Sequence, residues 1–187
     1  MKNLEIKNIV SEHKNVINNF DETFYNSIKV GIDLFKEAII SDSNIFLCGN
    51  GGSAADCQHI AAELIGRFHK NRRPFKAFAL TTDSSILTCI SNDFNYEQIF
   101  SRQLKAMGNK GDLLVSISTS GNSNNIINAI NEAKKMEIKT LSLLGGNGGE
   151  AKKITNHSIE VPSKNTARIQ EIHILIFHII CEFLEDL

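Results

Sequence analysis

Two hydrophobic periods divide this chain. Between residues 4 and 40, Leu4, Ile6, Ile9, Val10, Ile17, Phe20, Phe24, Ile28, Ile32, Leu34 and Phe35 recur mostly at steps of three and four. That is the spacing of one helix face. No proline interrupts the segment, and Gly31 is its candidate break. The stripe is more apolar than a solvated helix needs, so the segment is expected to dock on the rest of the chain or on another copy.

From Ile45 the period shortens. Apolar runs at 45–48, 75–80 (entered through Pro74), 113–117 and 140–144 read as strands, and 159–161, stopped by Pro162, reads as a short edge strand. Between and after them, 54–68, 84–90, 96–107, 124–136 and 166–187 carry helical spacing. Strands apolar on both faces and alternating with helices predict a parallel sheet covered by helices on each side, a three-layer αβα arrangement. The plausible boundary lies near residue 35, giving a helical arm at 1–34 and an α/β domain at 35–187. No internal repeat, low-complexity segment or linker appears.

Composition narrows the field. The 187 residues suffice for one domain with a sizeable core. Twenty basic and 21 acidic residues leave a net charge of -1, against a nucleic-acid or membrane surface, which needs a basic excess. Lys70, Arg72 and Arg73 form the one local basic cluster and read as a solvated loop. Cys48, Cys57, Cys89 and Cys181 contain no C-x-x-C pair and read as buried, reduced thiols of a cytoplasmic protein. The first seven residues carry charge where a secretory signal needs an apolar stretch. Ile172 to Leu184, interrupted by His173, His178 and Glu182, is too short and polar to span a bilayer.

The candidate chemistry sits at two turns. Cys48-Gly49-Asn50-Gly51-Gly52-Ser53 and Ser118-Thr119-Ser120-Gly121-Asn122-Ser123 each follow an apolar run and precede a helix. Such a junction aims free N–H groups and a positive dipole end at whatever lies over the turn. Hydroxyls around a glycine can saturate a phosphate without a lysine. Neither turn carries a Walker Gly-Lys-Ser/Thr or a Gly-x-Gly-x-x-Gly fingerprint. The first turn opens a helix bearing His59 and Glu63, four apart and so on one face. On the closing helix His173 reads as a hydrogen-bonded core or rim histidine. His178, on a very apolar stretch, needs a partner, and Glu63 is the best one available.

The Ser118–Ser123 turn resembles the phosphosugar turn of the sugar-isomerase (SIS) domain family. Together with Gly49-Asn50-Gly51-Gly52-Ser53, Asn92-Asp93-Phe94 and Arg168-Ile169-Gln170-Glu171-Ile172-His173, it is similar over nearly the whole chain to the phosphoheptose isomerases of that family. The resemblance implies a flavodoxin-like parallel sheet. It also implies conversion of sedoheptulose 7-phosphate to D-glycero-D-manno-heptose 7-phosphate through an enediol, the first step of heptose precursor synthesis for lipopolysaccharide, capsule or glycoprotein. By the same resemblance Ser118, Thr119, Ser120 and Ser123 hold the phosphate. Asn50, Gly51, Gly52 and Ser53 line the sugar pocket, and Asn92, Asp93 and Gln170 add contacts. Glu63, itself on the substrate, is the general base, and His178 its acid/base partner. His59, Glu63, Gln170 and His178 match zinc ligands, one ion per subunit, in a homotetramer with intersubunit sites. Ala167 stands where some members carry an acidic residue, so any contact from that side chain is lost.

Gln170 and His178 are eight apart on one helix, a rise of about 12 Å and a rotation of roughly 80°, so one ligand of that set is expected from another protomer. Two further readings belong to other classes. One is a non-catalytic SIS adaptor that binds the replication initiator. The other is a phosphosugar sensor, which would need a DNA-binding segment and a basic excess that this chain lacks. The acidic Glu63 and His178 favour the enzyme.

Overall fold

The computed structural model describes residues 3–187; the first two residues of the expected arm lie outside this range. The apolar runs form strands because both of their faces are covered. Every position of β1 (Ile45–Gly49) and β3 (Leu113–Ser118) is buried. With β2 (Ala77–Ala79), β4 (Lys139–Gly145) and β5 (His157–Val161) they make one sheet in the order β2-β1-β3-β4-β5. All its pairings are parallel, so the expected flavodoxin-like order is present.

Alternate strand residues feed two cores. Ile45, Leu47, Leu113, Val115, Ile117, Leu141 and Leu143 pack beneath α2 (Glu22–Ile40), α3 (Gly52–Ile65) and α8 (Thr166–Leu184). Phe46, Cys48, Leu114 and Leu144 face α4 (Ser84–Asp93), α5 (Ser101–Met107), α6 (Asn124–Lys135) and α7 (Gly149–Ile154). A pair of buried hydroxyls, Ser116 and Ser142, satisfy each other across β3 and β4 at 2.7 Å.

The N-terminal stripe departs from the expected single arm. α1 (Asn3–Asn18) and α2 are separate helices, divided where the Asp21 carboxylate accepts from the Phe24 N–H and caps α2. Gly31 breaks nothing. It lies inside α2, where an added Cβ would come 3.1 Å from Ile159 and 3.6 Å from Leu141, so its missing side chain lets the helix approach the sheet. Phe24, Ile28, Ile32 and Phe35 belong to the main core, and residue 35 falls within α2. α1 buries only Val16. Polar groups hold it to α8: His13 Nδ1 meets Glu171 at 2.6 Å, and Arg168 donates to the Ile9 carbonyl at 3.2 Å.

Other differences are local. The stretch 96–107 divides into a 3-10 turn, Tyr96–Gln98, and α5, while α7 is a short helix the hydrophobic spacing does not reveal. The basic loop is not simply solvated. The Arg72 side chain is 4% exposed and stacks 3.9 Å from the Phe75 ring centre. It donates to the carbonyls of Glu63 and Leu64, each at 2.9 Å, and so closes the C-terminus of α3. All four cysteines are free, but Cys89 is exposed, its thiol donating to Asp93 at 3.4 Å. Among the described residues no helix is long and apolar enough to cross a membrane.

His173 is fully buried, with Nε2 3.3 Å from the Leu144 carbonyl and Nδ1 unpartnered. Desolvation pushes its pKa down from 6.5 to about 4. The unfolded chain therefore binds this proton first, and stability falls as pH drops from 6.5 towards about 4, by up to about 3 kcal/mol. In urea midpoints recorded against pH, His173→Gln is expected to flatten the decline across that window. An unchanged slope would assign the acid sensitivity to other groups.

Candidate functional site

The chain leaves β1 towards β2 on one side, while β3 adds on the other. Loops after β1 and β3 therefore diverge and open a crevice at the strands' carboxyl ends, where ligands of such sheets bind. The two Ser/Gly turns are those loops.

In the second turn the Ser118 hydroxyl accepts from the Gly121 N–H at 3.0 Å, and that of Ser120 accepts from the Asn122 N–H at 3.2 Å. Both oxygens help shape the turn, and both hydroxyl protons remain to donate. Ser123 caps α6 without a side-chain bond. Gly51 likewise precedes α3 with no side-chain cap, whereas Asp21, Asp83 and Asn165 cap α2, α4 and α8. The N–H groups of Ser53 and Ala54 bond the carbonyls of Asn50 and Gly51, and that of Ile126 bonds the Ser123 carbonyl, so the N–H groups that precede these, at Gly52, Asn124 and Asn125, are the ones open to a ligand or water.

A third turn, missed as a functional element, supports the second. It is the run Gly145-Gly146-Asn147-Gly148-Gly149, between β4 and α7. The Ala151 N–H donates to the Gly121 carbonyl at 2.9 Å and the Glu150 N–H to Asn122 Oδ1 at 3.0 Å. An added Cβ on Gly121 would collide with the Gly148 carbonyl, and one on Gly149 would lie 2.5 Å from the Ser120 carbonyl. Both glycines have positive φ, +66° and +56°, so sterics and backbone conformation exclude a side chain at each.

In the first turn Gly51, at φ +57°, has no atom within 4 Å of an added Cβ; the backbone there is open to a ligand. Ser53 is buried at the start of α3. Gln170 lies over Gly52, whose added Cβ would come 2.5 Å from the amide nitrogen, so α8 does bring Gln170 to this turn. The Asn50 side chain is engaged with Asn125 and Tyr96. Asn92 and Asp93, at the end of α4, bond each other at 2.9 Å. That bond, with the Cys89 thiol, holds the Asp93 carboxyl below its usual range. Their hydrogen bonds do not reach the two turns, whereas Glu97 just beyond them accepts from Asn124 at 2.8 Å.

The titratable cluster is elsewhere. His59 Nε2 stands 3.3 Å from Glu63 Oε1, and the His59 ring meets that of His178 edge-on at 5.3 Å. Phe68 stacks on the other side of His178 at 5.5 Å. The expected Glu63–His178 bond is absent: among the described residues His178 contacts rings only, and Glu63 pairs with His59 because the two share a face of α3. Asp56, one turn before His59, has an unpartnered buried oxygen, and burial pushes its carboxyl up against the lowering effect of His59.

α3 and α8 run in the same direction, with Gln170 beside Gly52 and His178 beside His59. Glu63 lies eleven residues beyond Gly52, about 16 Å along the helix axis. The first turns of α3 reach the crevice, but His59 and Glu63 lie farther down. Gln170 and His178 are correspondingly about 12 Å apart in axial rise. Among the described residues no group of three or more His, Cys, Asp or Glu is placed to hold a metal. The four residues expected to bind zinc therefore do not converge within one chain.

The SIS-domain family model matches residues 10–145. The phosphoheptose isomerase of Sulfurimonas denitrificans is 50% identical over 184 residues, which cover 98% of this chain and 90% of that protein. Two solved structures share the fold along their length. The phosphoheptose isomerase of Neisseria gonorrhoeae has a TM-score of 0.92 at 36% identity, with 98% of each chain covered. That of Francisella tularensis has a TM-score of 0.95 at 32% identity, with 100% of each covered.

The glycine contacts can be tested through phosphate. Gly149→Ala is expected to cost about 1–3 kcal/mol of stability through backbone strain and to displace the Ser120 carbonyl. Calorimetric titration with inorganic phosphate should show at least a tenfold loss of affinity, an effect of about 1.4 kcal/mol. Undiminished binding would remove the third turn from the site.

Proposed function

The chain belongs to the SIS-domain family and, within it, to the phosphoheptose isomerases, and from this membership we propose the assignment of its residues in the reaction. The activity is aldose–ketose isomerisation, sedoheptulose 7-phosphate to D-glycero-D-manno-heptose 7-phosphate. A proton leaves one of two adjacent carbons and returns to the other through an enediol. The observation that carries the assignment is the Glu63–His59–His178 cluster: a carboxylate and two imidazoles gathered at a half-open surface are what proton transfer requires and what an adaptor has no use for.

In this reading the Ser118–Ser123 turn holds the phosphate through Ser118, Thr119, Ser120 and Ser123 and the start of α6, orienting the sugar. The backbone of 51–53, Gln170, Asn92 and Asp93 contact the sugar. Glu63 takes the carbon-bound proton, and His178 moves protons at the oxygens. The axial separation of Glu63 from its own first turn supports a site shared between copies. One chain supplies the turns and another the cluster, in a homotetramer. Exposed Leu4, Ile6, Ile9 and Val10 on α1, with Tyr25 and Phe183, offer apolar surface for such contacts. His59, Glu63, Gln170 and His178 would hold zinc only in the assembly, with the ligands divided between copies and one ion per subunit. Four unpaired cysteines support a cytoplasmic setting.

Glu63→Gln is expected to lower turnover of sedoheptulose 7-phosphate by about 10²–10⁴-fold while phosphate affinity stays intact. Retained turnover would sink the base assignment. Because Glu63 and His178 sit in one cluster, the informative mixture pairs Glu63→Gln chains with Ser120→Ala, Ser123→Ala chains. After unfolding and co-refolding, random two-chain pairing restores about a quarter of the sites, and no recovery would argue for sites within one chain. Elemental analysis of the native assembly should find zinc near one per chain, and chains kept monomeric by charged substitutions on α1 should lack it. Zinc retained by monomers would refute the split ligand set.

A further inference from the structure

Asn125 is the most deeply buried side-chain amide near the crevice, 2% exposed, in the first turn of α6. It faces Asn50 of the first turn in a reciprocal pair. Asn50 Nδ2 donates to Asn125 Oδ1 at 2.9 Å, and Asn125 Nδ2 donates to Asn50 Oδ1 at 2.8 Å. The Tyr96 hydroxyl adds a third bond to Asn50 Oδ1 at 2.9 Å. Two amides joined face to face fix both distance and rotation, as one hydrogen bond does not. β1 and β3 hold the strand ends together as far as Gly49 and Ile117, and beyond that register the Asn50–Asn125 bonds are the direct side-chain tie between the first turn and α6.

We propose that Asn125 is a positioning residue that sets the span between the phosphate anchor and the open backbone at Gly51, and thereby selects the chain length of the phosphosugar. The proposal rests on the reading that the Ser118–Ser123 turn holds phosphate. It also reassigns Asn50. With Oδ1 accepting two bonds and Nδ2 donating one, its amide keeps a single proton for a ligand, and most of its capacity goes to the tie between turns. Tyr96 is half-exposed and closes the network from outside, while Glu97 ties the same segment to α6 through Asn124 and Asn128, at 2.8 and 3.1 Å.

A structural role alone would change stability and leave substrate discrimination untouched. The test therefore reads three quantities: affinity for inorganic phosphate by titration calorimetry, KM and kcat for the seven-carbon ketose phosphate, and the ratio of its kcat/KM to that of ribulose 5-phosphate. Asn125→Leu removes both reciprocal bonds at similar volume. Asn125→Asp keeps the acceptor and removes the donor. Tyr96→Phe removes only the outer bond from a half-exposed ring and leaves the pair, so it reports even if the buried substitutions prevent folding. For either Asn125 variant the expectation is a KM for the seven-carbon substrate raised about tenfold. Phosphate affinity should hold within about twofold and the discrimination ratio should collapse by a similar tenfold. Tyr96→Phe should move KM and the ratio by about threefold, with kcat held. Unchanged KM and discrimination in the variants that fold would overturn the proposal and leave the phosphate reading standing. An equal loss of phosphate affinity would also overturn it, since the residue would then be shaping the phosphate turn itself. Wild-type protein that does not bind phosphate would refute the phosphate reading and this proposal with it.

Discussion

The parallel pairing of β1 with β3 is the constraint on which the rest of the structure depends. Ile45 to Gly49 stand in register with Leu113 to Ile117, and the chain departs from these two strands in opposite directions. Parallel strands need crossover helices, so each strand end must turn sharply into a helix start. Two helix N-termini are thereby brought side by side over one crevice. The apolar character of the strands, visible as unbroken runs, is what makes this arrangement stable, because both faces of the sheet are covered. A site for an anion follows from the topology before any particular side chain is considered.

The groups that the second turn offers an anion are neutral. Hydroxyls and backbone N–H groups replace the lysine of a Walker loop, so the charge a phosphate meets comes from helix dipoles and oriented amides. Such a site depends on geometry more than on net charge, which suits a chain with 20 basic and 21 acidic residues. It also explains the density of glycine. Gly121 and Gly149 let two turns interlock backbone to backbone, which a salt bridge would not require.

Much of this was legible in the sequence, and what was not has a common cause. Periodicity located the five strands and the principal helices, and the two turns stood out because a glycine flanked by hydroxyls after an apolar run has few other uses. Gly31 reads as the candidate helix break, whereas Asp21 marks the actual one: an N-cap is set by one side chain and its neighbours, while Gly31 answers to Ile159 and Leu141 on β5 and β4. The same holds for Arg72, read as solvated because it sits among charges, yet buried against Phe75 at the end of α3. The sequence pairs Glu63 with His178, whereas the carboxylate meets His59 and the His178 ring meets that of His59; which imidazole it reaches depends on the lateral packing of α3 on α8, a quantity no local pattern encodes. Asn125 followed a loud motif and looked like one more polar residue at a helix start; only its burial and its reciprocal bonds distinguish it.

The parallel run of α3 and α8 gives the molecule its remaining asymmetry. Each helix has one residue at the crevice, Gly52 and Gln170, and one in the imidazole cluster, His59 and His178. A ligand spanning both ends of one chain would have to lie along the helices for more than 10 Å, a distance set by the axial rise. A second copy placed with its crevice against this cluster would bring the two ends of the chemistry together. The apolar side chains left in solvent on α1 and at the end of α8 are surface available to such a contact. Assembly in this reading is the step that creates the site, because the chemistry divides along the length of two helices that a single chain cannot shorten.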